Sequence, residues 1–423
     1  MFGKTVFHID VNSAFLSWEA AYRIHHLGAG LDIRRIPSAI GGDEALRHGI
    51  ILAKSIPAKK YGIQTGMTIR EALGRCPGLY LAPPNYFLYQ TCSRAFMELL
   101  REYTPQVEAY SIDEAFLDMT ETAALFGGPL RAAEEIRSRI SGELGFTVNV
   151  GISSDKILAK MAGDLKKPDQ VHTLYPEEIS QKMWPLPVSS LFFVGRATER
   201  KLKLLGIHTI GELAQADPAL LKAHLKKQGE TVWAFANGWG GGEVEAVPPA
   251  QKGYGNSTTV CFDVRDTETA RSVLLALSET VGMRLRKQRV KVKNISVGIK
   301  SFDFQYASHQ MMLANATNLT QELYRYASLL FDRLWDGKTP IRHLGIHTSQ
   351  VEAETEGRQL ELFDGTDYEK LGKMDRAVDG IRAKYGIDAV QRAVFLSSPI
   401  DHMEGGISRE KRRVDYRKLG LTR

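Results

Sequence analysis

The stretch QVEAYSIDEAFLDM, residues 106–119, decides the fold. Two β-prone runs, 106–112 and 115–119, flank an adjacent acid pair, Asp113 and Glu114, with nothing else between them. That spacing predicts a tight hairpin with both carboxylates at its bend. Upstream, residues 5–11 are β-branched and aromatic and contain Asp10 near their end, which reads as a buried strand. A helix is expected over residues 13–24, and an amphipathic one runs to about Tyr103 on Phe87, Cys92, Phe96, Leu99 and Leu100. Pro129 opens another helix, with Leu130, Ala133, Ile136, Ile140 and Leu144 as its apolar stripe, and FTVNVGI, residues 146–152, alternates as a strand. The order is βαββαβ, a ferredoxin-like unit with residues 13–81 inserted after its first strand. In that topology strands one and two run parallel with strand three antiparallel between them. The end of the first strand and the bend after the second therefore share one sheet edge, and the fold alone gathers Asp10, Asp113 and Glu114.

Three crowded carboxylates stay ionised together only if cations neutralise them. Oxygen-only ligation suits Mg²⁺, which completes its shell with water and substrate phosphates. A pair of such ions is what an in-line phosphoryl displacement uses. An isolated Asp-Glu pair is usually an ordinary polar turn. Its convergence with Asp10, with an apolar strand on each side, points to ions instead.

At 423 residues the chain is expected to hold three or four domains. A net charge of +6 is too mild to argue for nucleic acid by itself. Between residues 255 and 353, however, thirteen basic residues face nine acidic ones, and Arg284, Arg286, Lys287, Arg289, Lys291 and Lys293 form a run without acids. Such a run alone is more often a solvated helix end. Three scattered cysteines suit neither disulfides nor zinc, and no signal peptide or membrane span is evident, so a cytoplasmic protein is expected. Residues 189–213 read as two short helices around a Val-Gly turn, and 238–255 as a Gly- and Pro-rich linker. A second βαββαβ pattern covers 257–349; a final helix at about 368–384, a short strand near Val394 and a basic tail over 409–418 follow.

The strings FHIDVNSAF (7–15), YSIDEAFLD (110–118) and GISSDKILAKMAGDLKKPDQ (151–170) strongly resemble the palm motifs of Y-family DNA polymerases, the bacterial members most of all. The resemblance spans about residues 1–350. It implies an α+β, multidomain right hand with a ferredoxin-like palm (1–12 and 82–175), small fingers (13–81) and a helix-hairpin-helix thumb (176–242). A linker (243–254), a ferredoxin-like little finger that grips DNA (255–352) and a clamp-binding peptide with a C-terminal extension (353–423) complete the implied division. The implied activity is low-fidelity, template-directed synthesis across damaged bases, without a proofreading exonuclease.

Residue by residue, Asp10, Asp113 and Glu114 match the ligands of two Mg²⁺ ions, with the Val11 carbonyl assisting. Phe15 matches the steric gate against ribonucleotides, and Lys59 and Lys167 match the cations on the incoming deoxynucleoside triphosphate. Lys59 stands where relatives carry Arg, and Ile56 where they carry Tyr, which removes a planar fork and a hydroxyl. Phe193-Val194-Gly195 with Lys201 and Lys203 resembles the thumb hairpin, and the basic run with Arg342 becomes a phosphate-tracking strip on primer–template DNA. Gln359-Leu360-Glu361-Leu362-Phe363 resembles the peptide by which such polymerases dock on the sliding clamp. A monomer without membrane association is implied. Two rivals are a DNA- or clamp-bound scaffold without activity and a nucleotide cyclase, for which Gly41-Gly42-Asp43-Glu44 is a partial match.

Overall fold

The computed structural model describes residues 3–423 apart from 43–46, 48, 355–357, 359–364, 403, 404, 406–413, 415 and 418–423. Strand β1 (Val6–Val11) is buried along its whole length, and the helix Ala14–Leu27 follows it. The chain then builds a small sheet of its own from β2 (Ser38–Gly41), β3 (Ile51–Lys54) and β4 (Tyr80–Ala82), in the order β3-β2-β4. Ala39, Ile51, Ala58, Ile63 and Ile69 give this inserted unit a separate core. Sequence reading had the insertion but not its sheet, because its three strands are too short to alternate visibly.

The helix Tyr86–Arg101 leads into β5 (Val107–Ala109) and β6 (Glu114–Asp118), and the helix Pro129–Arg139 into β7 (Val148–Ser153). The helix Lys156–Asp164 and β8 (Val171–Thr173) complete the unit. The sheet order is β5-β6-β1-β7-β8, with β1 antiparallel to both β6 and β7. This is the expected ferredoxin-like order with β8 added in parallel at one edge. Phe7, Ile9, Leu117 and Val150 meet Trp18, Phe96, Leu100 and Ile136 in the largest apolar core. The helix Lys156–Asp164 lies so close to β7 that a Cβ on Gly151 would fall 2.0 Å from the Ala159 carbonyl oxygen.

Four helices between Arg196 and Ala236 form a compact unit with a third core on Leu202, Ile210, Leu213 and Val232. The Gly- and Pro-rich stretch after it is not free. The Glu245 N–H donates to Glu108 Oε2 at 2.8 Å, and Lys156 Nζ bonds both Glu108 and the Glu243 carbonyl.

The second unit comprises β9 (Gly253–Val264), the helix Thr267–Lys287, β10 (Val290–Ser301), β11 (Tyr306–Thr317), the helix Thr320–Leu334 and β12 (Ile341–Ala353). Its element order is the one expected, but its strands lie β11-β10-β12-β9, all antiparallel. The last strand thus sits inside the sheet, where a ferredoxin-like unit has its first. Both helices cover one face, burying Leu274, Leu277, Phe331, Val297 and Leu344; the other face is open.

The helix Tyr368–Tyr385 packs on this unit through ion pairs. Arg286 Nη1 lies 3.1 Å from Asp375 and its Nε 2.6 Å from Asp379, while Arg382 and Arg392 both reach Glu279, at 2.9 and 2.5 Å. The segment around Val394 is a single helical turn (Ala393–Phe395), not a strand, and Phe395 inserts into the core. Among the described residues no helix is long and apolar enough to cross a membrane.

Candidate active site

Asp10 and Glu114 lie directly opposite each other, Asp10 on β1 in register with Glu114 on β6. The bend is longer than the sequence suggested and shifted toward the first strand: β5 ends at Ala109, residues 110–113 turn, and Glu114 is already the first residue of β6, so only Asp113 of the pair belongs to the turn. Val11 ties strand to bend, its N–H donating to the Asp113 carbonyl at 3.0 Å. Ser111 Oγ donates to Asp113 Oδ1 at 2.7 Å and accepts from the Asp113 and Glu114 amides.

Each inner carboxylate faces an ammonium. Glu114 Oε2 accepts from Lys160 Nζ at 2.8 Å and lies 3.5 Å from His8 Nε2. Burial pushes the Glu114 carboxyl up, but His8 and Lys160 outweigh it and hold it down to about 2. Burial dominates at Asp10, raising its carboxyl above the ordinary range although Lys167 is hydrogen-bonded to Oδ2. Lys167 also reaches Asp164 at 2.8 Å. Burial lowers its ammonium, yet Asp10 and Asp164 together shift it upward.

Among the described residues no three His, Cys, Asp or Glu side chains stand together as a group that could hold a metal ion, so Asp10, Asp113 and Glu114 share a sheet edge without forming a ready-made cluster. The donor set fits a cation that arrives with its own water and phosphate ligands. Its oxygens are all carboxylate or carbonyl, and the buried Asp10 needs more positive charge than Lys167 supplies.

Asp10 opens onto a cavity of about 310 Å³ shared by Ser13, Arg34, Lys54, Ile56, Lys59 and Lys167. The structure thus brings Lys59, from the inserted unit, and Lys167, from the loop after the helix Lys156–Asp164, to one space beside Asp10. Burial, and then the nearby Lys59, lower the Lys54 ammonium, so this wall favours an anion. Phe15 does not line the cavity; it is half-buried next to it, stacked on Tyr89 at 4.4 Å.

Sequence reasoning missed His8, Lys160, Arg34 and Lys54. A place two residues before Asp10 on the same face of β1, and a helix position one turn after Lys156, were the available signals for the first two. The other two emerge only when the inserted sheet folds over Asp10.

The basic run divides. Arg286 is corrected: its guanidinium is buried between Asp375, Asp379, the Asn318 carbonyl and Thr320, with no face left for a phosphate. Arg284 donates to the Gly255 carbonyl at 2.7 Å and lies over the Tyr254 ring. Lys287 and Arg289 are exposed at the turn before β10. Lys291 and Lys293 flank the buried Val292 and so emerge on the open face. Cross-strand rows there are Tyr306, Lys300, His343 and Thr259, then Ser308, Gly298, Gly345 and Ser257. Arg342 lies over the exposed Phe304 ring at 5.1 Å. The helix Arg196–Leu204 starts directly after Gly195, with Lys201 and Lys203 exposed. Gln359, Leu360, Leu362 and Phe363, like Asp43 and Glu44 of the cyclase-like string, lie outside the described residues. Gly41 of that string ends β2, in the inserted sheet rather than in the one that carries Asp10.

Comparison with known proteins agrees. The impB/mucB/samB family matches residues 9–164, its C-terminal domain 251–362, and the IMS family HHH motif 176–207. DNA polymerase IV of Clostridium acetobutylicum is 44% identical over 393 residues, covering 93% of this chain and 98% of the relative. DNA polymerase IV 1 of Bacillus subtilis is 35% identical over 404 residues, 95% of each chain. A solved Y-family DNA polymerase chimera of Dbh and Dpo4 has the same fold, with a TM-score of 0.71 at 21% identity over 82% of this chain and 99% of its own. A carboxylate pair in register at the edge of a ferredoxin-like sheet, followed by a helical unit and an open-faced four-stranded sheet, is therefore inherited: the chain belongs to the impB/mucB/samB family, the Y family of DNA polymerases, on its DNA polymerase IV branch.

Proposed function

We propose that this chain is a lesion-bypassing DNA polymerase of low fidelity, adding deoxynucleotides to a primer 3′-hydroxyl with two Mg²⁺ ions held by Asp10, Asp113, Glu114 and the Val11 carbonyl. The observation that carries this is the register of Asp10 with Glu114, next to Asp113, with Asp10 itself lining a cavity walled by Lys54, Lys59 and Lys167. The family depends on divalent metal, and its substrates are DNA and nucleotides. Asp10, Asp113, Glu114 and the Val11 carbonyl would hold the ions, whose Lewis acidity would ease deprotonation of the attacking hydroxyl and offset charge on the departing pyrophosphate.

The chain's own groups do the rest. Lys59 and Lys167 bind the triphosphate, and Lys160 and His8 keep Glu114 ionised and aimed at the sheet edge. Phe15 guards the sugar. The ranges given above for palm, fingers, thumb, linker and little finger are retained as the division of labour. On the little finger the DNA contacts are Lys287, Arg289, Lys291, Lys293 and Arg342, with Arg284 partly engaged by Gly255. The segment 359–363 docks on the sliding clamp.

Primer extension by wild type and Asp113→Ala tests the reading. A template-dependent product that disappears in the variant is expected. Equal product from both enzymes removes the assignment, and no product from wild type leaves the scaffold rival.

A further inference from the structure

Lys167 sits on an exposed loop, residues 165–169, yet its backbone is fastened on both sides. Asn149, fully buried on β7 and directly opposite Asp10, donates its two amide N–H groups to the Gly163 carbonyl at 3.0 Å and the Lys166 carbonyl at 2.7 Å. Its Oδ1 accepts from Asn12 Nδ2 at 3.1 Å. Asn12 in turn uses Oδ1 to accept the Asp169 backbone N–H at 2.9 Å and the Thr147 hydroxyl at 3.0 Å. The orientation of both amides is fixed, because carbonyls can only accept and a backbone N–H can only donate. The two asparagines thus grip the residue before Lys167 and the residue two after it. They do so from β7, which pairs with the strand of Asp10, and from the residue just past the end of that strand.

We propose that Asn149 and Asn12 are positioning residues: together they fix the Lys167 ammonium against Asp10, at the height where the triphosphate enters, and so set nucleotide affinity without touching the nucleotide. Neither side chain has a structural reason to be an amide on the sheet alone, since backbone ladders already satisfy β1 and β7. The amides bond across to the loop instead. Buried donors that meet two carbonyls at once define one geometry and penalise any other. The inference rests on the reading of Lys167 as a triphosphate contact, and the experiment separates the two.

Single-nucleotide insertion is measured for wild type, Asn149→Ala, Asn12→Ala, Lys167→Ala and the double variant Asn149→Ala/Lys167→Ala, with primer–template Kd and thermal melting alongside. Each asparagine variant is expected to raise the KM for the incoming nucleotide about five- to tenfold, the scale of one lost hydrogen bond, with primer–template Kd unchanged. In the double variant the Asn149 change is expected to add nothing to the loss from Lys167→Ala. The same fold loss with and without Lys167 overturns the proposal, as does a fall in kcat with KM unmoved. Asn12 is partly exposed, so its variant opens no buried hole and carries the test if Asn149→Ala fails to fold. A Lys167→Ala enzyme with wild-type KM instead removes the reading of Lys167 itself, and that failure is visible without either asparagine variant.

Discussion

Phe15 is the second residue of its helix, its ring lying 10° from coplanar with Tyr89 and edge-on to Tyr86. A half-buried ring backed by two others is held firmly in one place. Phe15→Ala is expected to raise ribonucleotide incorporation relative to deoxynucleotide by roughly tenfold or more, read by single-turnover insertion of each. An unchanged sugar preference removes the gate. At this scale the sequence was most informative where chemistry and spacing coincide: topology alone set Asp10 against Glu114, with Asp113 at the adjoining bend. It was least informative where a partner lies far along the chain. Nothing near Arg286 shows that its counter-ions arrive 89 and 93 residues later, so a residue read as a phosphate contact is an internal ion pair. Breaking such a buried pair by removing one partner is costly.

The strands tell a similar story one level up. The palm sheet was legible because, once residues 13–81 are set aside as an insertion, each connection there is short or helical and leaves one right-handed solution. The second unit has the same element order, yet β12 enters between β10 and β9. Strand order of this kind is decided by which buried faces meet, and Val292, Ile295 and Val297 look alike to either neighbour. The result matters for DNA. Placing β12 centrally puts His343 and His347 beside Lys300 and Ser296, on an open face poor in acids. Burial, with Lys300 and His347 nearby, lowers the His343 imidazole, so that face is not made more basic by it at neutral pH. Lys300, which sequence reading passed over, is expected to meet phosphate. Lys300→Ala should reduce the slope of log affinity for primer–template against log salt by about one, measured by fluorescence anisotropy. An unaltered slope takes Lys300 off the interface.

Across the whole molecule the described C-terminal residues return to the start of the chain. Tyr416 Oη donates to Glu19 Oε2 at 2.9 Å and accepts from Asn85 at 2.8 Å, completing a buried cluster in which Arg23 bonds Glu19 and Tyr80. Arg47 pairs with Asp263 at 2.6 Å, joining the inserted unit to the little finger. The described residues beyond 353 are therefore built into the body, through Tyr416 and the helix Tyr368–Tyr385. Deleting residues 359–363 is expected to abolish stimulation by the sliding clamp while leaving unassisted primer extension intact. Equal stimulation of the deleted protein removes that peptide as the docking element.

The ion pairs between the helix Tyr368–Tyr385 and Glu279, Arg286 and their neighbours carry one more consequence. Glu354 is anchored at one side of the peptide, its N–H on the Arg289 carbonyl, and Tyr368 begins an anchored helix at the other. Between them Arg358 is fastened as well: both Nη atoms bond the buried Glu322 carboxylate at 2.8 Å, and the guanidinium lies over the Tyr368 ring. Removing Arg358 would strand that carboxylate without its nearest counter-ion, so a residue remote from the palm sheet guards the seating of the helix Thr320–Leu334.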